Sequence, residues 1–158
     1  MKSGERTDIR QVAKQKFTDY LTAHKCRKTP ERFAVLDVIY SDSRHFDTDM
    51  LFETLQKDGF PVSRATLYNT LQLLLDCRLI VKHHFEEHRA FYERAGGAFH
   101  LHLVCTGCHS VTEYQDAELQ RAILNKKIKK FKAAHYVLNV SGLCTECARQ
   151  LKKNNKKK

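Results

Sequence analysis

What this chain lacks narrows its class before any motif is read. No apolar run in its 158 residues approaches the ~18–20 consecutive residues needed to span a bilayer, so no membrane partner is expected. The opening MKSGERTDIRQ has no apolar stretch behind its charges. It does not read as a secretory signal, and a cytoplasmic location is expected. In that reducing compartment six cysteines point to metal ligands or buried thiols rather than disulfides. No nucleophile motif is visible, and no internal repeat except a doubled C-x-x-C. The apolar fraction of 42% suffices for small cores in one compact domain or two.

The formal charge of +10 suggests a polyanionic partner such as nucleic acid. Its distribution weakens that argument. Through Glu93 the net is +1, and the remainder carries +9, much of it in NKKIKKFK and KKNNKKK. The lysine-rich end over 153–158 reads as a basic disordered tail.

The first half reads as helices. QVAKQKFTDYLTAH places Val12, Phe17, Tyr20 and Leu21 near helical spacing. KTPERFAVLDVIY offers Thr29 as N-cap and Pro30 at the first helical position, with Phe33, Leu36, Ile39 and Tyr40 as its stripe. A third helix begins at Asp47 or Thr48 and stops at Gly59. A fourth has Ser63 as N-cap and Ala65, Leu67, Leu71 and Leu74 inward. Then LIVKHHF and RAFYE alternate around EEH as a hairpin.

Helices followed by a hairpin give the order of a winged helix-turn-helix domain, expected over 1–93. In such a module the second helix of the pair enters the major groove. Ser63, Arg64, Thr66, Tyr68, Asn69 and Thr70 would then lie near the bases of double-stranded DNA. Arginine can fork onto guanine, asparagine onto adenine, and a threonine methyl can meet that of thymine. Arg27, Lys28 and Arg32 are candidate phosphate contacts. The competing reading is a helical bundle with a solvated polar face.

After a hinge over 94–98 (RAGGA), strands FHLHLVC and SVTEYQ flank the CTGC turn. An amphipathic helix DAELQRAILNKKIKKF follows, with Leu119, Ile123, Leu124 and Ile128 on its apolar side. A strand AAHYVLNVSGLC and a short helix ECARQLKK complete a small α/β domain over 99–152. The fold class is α+β.

Cys105 and Cys108 form one chelating pair, Cys144 and Cys147 the other. Four soft sulfurs suit tetrahedral Zn²⁺ and leave no open position, so such a site is structural. A redox-active C-x-x-C is the alternative, and two matched pairs argue against it. Cys26 and Cys77 read as semi-buried thiols. His100 and His102 alternate along a strand, so both rings face one side. They could hold a second metal with partners drawn from Glu93, Glu113 and His45. Nitrogen and oxygen ligands suit Fe²⁺, Mn²⁺, Co²⁺ or Zn²⁺. His24, His83, His84, His88 and His109 read as ordinary surface or core residues.

The runs KTPERFAVLDVIY, HFDTDMLFETL, VSRATLYNTLQLLLDCRLI, YERAGGAFHLHLVCTGC and GLCTEC, in that order, resemble the ferric uptake regulator (Fur) family. The resemblance implies a homodimeric, metal-responsive transcriptional repressor, with a C-terminal dimerisation domain and AT-rich palindromic operators. It implies structural zinc on Cys105, Cys108, Cys144 and Cys147. It implies a regulatory metal, Fe²⁺ in iron-type members, on His45, Glu93, His100, His102 and Glu113. Tyr68 matches the base-contacting tyrosine, while Asn69 stands where many iron-type members have arginine. Peroxide-sensing members typically have aspartates at positions 93 and 113, and manganese- or zinc-responsive members are further alternatives. Phe99 and Leu101 replace a histidine and an aspartate of an additional metal site, leaving His135 without partners. Outside the family, a constitutive zinc-stabilised architectural protein and a metal hydrolase with Glu113 as base remain.

Overall fold

A computed structural model of the chain describes residues 3–41, 45–86, 89–97, 99–133 and 136–155. The expected hairpin turn at Glu87 and His88, Ala98 of the hinge, His135, and tail residues 156–158 lie outside the described residues. The chain divides into two compact units, Met1–Gly97 and Ala98–Lys158.

The N-terminal unit packs four helices, α1 (Ser3–Ala23), α2 (Pro30–Ser41), α3 (Thr48–Lys57) and α4 (Arg64–Asp76), with one small sheet. Its strands β1 (Phe46–Asp47), β2 (Ile80–Glu86) and β3 (Arg89–Arg94) lie in the order β1-β3-β2. Both pairings are antiparallel. This is a winged-helix arrangement, with one strand more than the expected hairpin. β1 is two residues long, too short to announce itself by alternation.

Helix ends follow local chemistry. The Asp47 carboxylate accepts from Met50 N at 2.7 Å, capping α3. At the other end Gly59 has φ +79°. That left-handed residue lets Phe60 N reach Leu55 O at 2.9 Å and Gly59 N reach Gln56 O at 3.3 Å. Ser63 caps α4, its hydroxyl accepting from Thr66 N at 3.0 Å.

Burial departs from the sequence stripes in three places. On α1 the buried line is Ala13, Phe17 and Leu21, an i, i+4, i+8 row, while Val12 is 59% exposed. On α2 Ala34, Val35, Leu36, Val38, Ile39 and Tyr40 are all buried. α2 touches α1, α3 and α4, so it needs apolar residues on nearly every side. On α4 the inward residues are Leu67, Thr70, Leu71 and Leu74, and Ala65 is exposed. The Tyr40 hydroxyl donates to Leu79 O at 2.8 Å, fastening the end of α2 to the entry of β2. Burial pushes its pKa up to about 12.

The C-terminal unit holds β4 (Leu101–Cys105), β5 (Val111–Tyr114), α5 (Ala117–Leu124), β6 (Asn139–Gly142) and α6 (Thr145–Asn155). The sheet order is β5-β4-β6, with β4 antiparallel to β5 and parallel to β6. Asp116 caps α5 by accepting from Glu118 N and Leu119 N. α5 ends at Leu124 rather than running on to Phe131, and Ile128 and Phe131 are exposed. Lys126, Lys129 and Lys130 would stack like charges at i, i+3 and i+4 on a continued helix. α6 runs through Asn155, so the first residues of the expected disordered tail are helical. No helix among the described residues is long and apolar enough to cross a membrane.

Phe17 is fully buried, and its ring meets Phe33 edge-on at 5.5 Å. Phe17→Ala should cost ~3–5 kcal/mol of the N-terminal unit's stability. Urea unfolding checks this, and a loss under ~1 kcal/mol would contradict the packing.

Candidate metal centres and recognition helix

The four paired cysteines come together within the C-terminal unit. Cys105 ends β4, Cys108 lies in the following turn, Cys144 follows β6, and Cys147 sits in the first turn of α6. The parallel pairing of β4 with β6 brings the two C-x-x-C segments side by side, with Cys105 opposite Gly142. All four sulfurs lie within 4.8 Å of one another, and Cys108 Sγ is 3.9 Å from Cys144 Sγ. Tetrahedral Zn²⁺ with Zn–S near 2.3 Å separates its sulfurs by about 3.8 Å, so the donors fit that ion. Backbone amides already face the sulfurs. Gly107 N donates to Cys105 Sγ at 3.4 Å, Cys144 N to Cys105 Sγ at 3.3 Å, and Cys147 N to Cys144 Sγ at 3.4 Å. Hydrogen bonds from the amides of Cys144 and Cys108 push the Cys105 thiol down to about 6, towards the thiolate that a metal needs.

A second group lies at the edge of the N-terminal unit. His45 precedes β1, and Glu93 lies near the end of β3. His45 Nε2 is 3.0 Å from Glu93 Oε2. The other carboxylate oxygen, Oε1, is 2.7 Å from Nε2 of His83 on β2. Burial alone would raise the Glu93 pKa. Hydrogen bonds and positive charge from the two imidazoles outweigh that and hold the carboxyl well below its usual range. His83 is 4% exposed, although its sequence context reads as an ordinary strand histidine. The signal that could have found it is register. Val81 pairs with Glu93, so His83, two residues along, shares the face of Glu93.

A third group belongs to the C-terminal unit. His100 Nε2 and His102 Nε2 lie 3.1 Å apart, with their rings perpendicular. Two nitrogens about 2.1 Å from one ion would be separated by about 3.0–3.4 Å, so the pair suits a shared metal. His102 Nδ1 is 3.0 Å from the Asn139 side-chain oxygen. That oxygen can only accept, so Nδ1 carries the proton and Nε2 keeps its lone pair for a metal. Glu113 pairs directly with His102 across β4 and β5 and is exposed. At position 101, where the family's additional site would need a ligand, Leu101 is buried and apolar.

Helix α4, the one expected to enter the major groove, presents Arg64, Ala65, Tyr68, Asn69 and Gln72 as an exposed stripe. Tyr68 is 51% exposed. Arg64 pairs with Asp49 at 2.7 Å and lies over the Phe52 ring. The Ser63 hydroxyl serves the helix cap, and Thr66 Oγ1 lies 2.9 Å from it. Thr70 does not face outward: it is fully buried, and its hydroxyl donates to Thr66 O at 2.7 Å. Its expected thymine contact is therefore withdrawn. Arg27 and Lys28 are exposed, while Arg32 is half-buried and donates to Arg27 O.

A methyl at Gly107 would meet Cys147 Sγ at 3.0 Å and Cys147 Cβ at 3.1 Å. Gly107→Ala should therefore crowd the knot, lowering zinc retention roughly tenfold at a cost of ~1–3 kcal/mol. Competition with a chromogenic chelator measures this. Unchanged retention would show that the α6 turn yields freely.

The ferric uptake regulator family model matches residues 5–141. A ferric uptake regulation protein of Legionella pneumophila is 31% identical over 123 residues, spanning 75% of this chain and 89% of that protein. That of Neisseria gonorrhoeae is 28% identical over 123 residues, spanning 75% and 84%. Among solved structures, the Vibrio cholerae ferric uptake regulator has a TM-score of 0.61 at 26% identity, covering 78% of this chain and 96% of that one. The Helicobacter pylori regulator shares the fold at a TM-score of 0.72 and 18% identity, covering 88% and 93%. With a winged-helix unit and a four-cysteine cluster in one chain and a family match along most of its length, this protein belongs to the ferric uptake regulator family of metal-responsive, DNA-binding transcription regulators.

Proposed function

We propose that this chain is an iron-responsive repressor that binds AT-rich palindromic DNA as a homodimer in the cytoplasm. The observation that carries the metal response is the pair of imidazole nitrogens of His100 and His102, 3.1 Å apart, one of them held metal-ready by Asn139. The carboxylate and imidazole of Glu93 and His45 belong to the N-terminal unit, and His100, His102 and Glu113 to the C-terminal one. Together these five residues would hold one divalent ion. The ion supplies a point of attachment that both units can share. Ligand sharing favours whichever arrangement of the units brings the donors together, and so fixes where each α4 lies. The names of the similar proteins from Legionella and Neisseria support iron as the ion sensed. A donor set of nitrogen and oxygen also accepts Mn²⁺ or Zn²⁺, so these are the competing ions in any test.

Dimerisation through the C-terminal unit fits its surface. Leu103, Val140, Leu143 and Leu151 are all more than a third exposed. Water-facing apolar side chains at this density suit burial against a second copy. Two copies would then present two α4 helices to successive major-groove half-sites, with Tyr68 and Asn69 nearest the bases. Arg27, Lys28 and Arg32 would contribute phosphate contacts and the salt dependence. Cys105, Cys108, Cys144 and Cys147 would hold Zn²⁺ permanently as scaffolding.

Fe²⁺, Mn²⁺ and Zn²⁺ titrated into the zinc-loaded dimer should tighten its binding to a palindromic AT-rich duplex at fixed salt by ~5–150-fold. Zn²⁺ should act at the lowest free concentration and Mn²⁺ at the highest, with Fe²⁺, titrated without oxygen, between them. His100→Ala should abolish the response while leaving the weak metal-free affinity. Equal affinity with and without every metal would instead mark a constitutive DNA-binding protein.

A further inference from the structure

We propose that the N-terminal unit carries a divalent-metal site of its own, formed by His45, His83 and Glu93, in which His83 is a ligand. The proposal shares two ligands with the reading above and to that extent rests on it, but it requires nothing from the C-terminal unit.

The site is built on one small sheet. Glu93 lies on the central strand β3, His83 on β2 to one side, and His45 immediately before β1 on the other. Each residue offers a ligand atom within 4.8 Å of those of the other two. The contacts are 3.0 Å from His45 Nε2 to Glu93 Oε2 and 2.7 Å from His83 Nε2 to Glu93 Oε1. Donors about 2.0–2.2 Å from one ion stand about 3 Å apart, so the group needs little movement to close on a metal. The imidazole rings of His45 and His83 are 5.5 Å apart and 69° from parallel, so both direct Nε2 at the same carboxylate.

The surroundings argue for a ligand set rather than a solvated polar patch. Side-chain exposures are 11% for His45, 3% for His83 and 13% for Glu93. Phe85 stacks on His83 at 5.5 Å and meets His45 edge-on at 5.7 Å, with Phe91 5.3 Å from Phe85. These aromatic walls keep water from competing for the donors. Two imidazoles and one carboxylate, leaving positions open, suit a first-row ion such as Fe²⁺, Mn²⁺, Co²⁺ or Zn²⁺. In the complete protein, His83 then ties the wing strand β2 to the metal.

The test uses the full-length, zinc-loaded protein carrying His100→Ala and His102→Ala, which removes the imidazoles of the other unit. Titration with Co²⁺, followed by its visible ligand-field absorption, should show one further ion bound per chain. Adding His83→Gln should weaken that binding at least roughly tenfold and change the spectrum. Glutamine keeps a donor for Glu93 and much of the side-chain volume, so the fold should survive. Circular dichroism and metal-free DNA affinity check that it does. Absence of Co²⁺ binding in the doubly substituted protein would overturn the proposal. So would unchanged affinity and spectrum on adding His83→Gln, which would leave His83 as a hydrogen-bond partner of Glu93 alone. If Co²⁺ binds here as expected while metal leaves the parent's DNA affinity unchanged, the sensing function falls and this site stands. If DNA tightening is lost in His100→Ala but His83→Gln leaves Co²⁺ binding intact, the reverse holds.

Discussion

The C-terminal unit has too little apolar side chain inside it to hold itself together, and most of its architecture answers that shortage. Among its described residues only Leu101, His102 and Cys105 are buried. β6 is four residues long and exposed throughout, and α5 buries no residue completely. What joins β4, the following turn and α6 is the convergence of four sulfurs at spacings suited to zinc. A structural zinc can contribute on the order of 10 kcal/mol to folding, comparable with the whole stability of an ordinary small domain. The parallel strand pair delivers Cys105 and Cys144 to one place, and a zinc ion bound there would in turn hold the two strands together. The apolar side chains left outside are the natural material of an interface between copies.

The N-terminal unit solves the opposite problem. Its helices bury a continuous core around α2, so it can carry a costly polar group at its edge. Burying a carboxylate is unfavourable unless its oxygens find partners. Here each oxygen of Glu93 meets an imidazole. Removing one partner would leave a buried charge under-satisfied, so the three side chains hold one another in place. The same arrangement gathers the donors that the ion proposed above would need. A site assembled on paired strands is held more tightly than one on loops.

Helix α4 shows how a fold constrains which residues face outward. Its exposed stripe follows the i, i+4 rule from Arg64 through Tyr68 to Gln72. Thr70 falls on the buried side of that same helix and serves packing, with its hydroxyl satisfied by the backbone one turn earlier. Arg64 is presented outward but engaged by Asp49 of α3, which couples the two helices of the motif.

Much of this was legible in one dimension. The start of α3 at Asp47 or Thr48, the cap at Ser63, the stop at Gly59 and the two C-x-x-C pairs depend on residues within a few positions of one another, and the sequence by itself determined them. The alternation of His100 and His102 is equally local, and so is the family resemblance carried by ordered short runs. Only the tertiary structure decided which strand histidine joins Glu93, which threonine faces the core, and that α2 is enclosed on nearly all sides. It also decided that α1 and α4 could end on Lys25 and Arg78 with positive φ, where local preference would favour glycine. The physical reason is one of range. Caps and turns are closed by neighbours along the chain, whereas burial and ligand convergence depend on cross-strand register and on elements dozens of residues away.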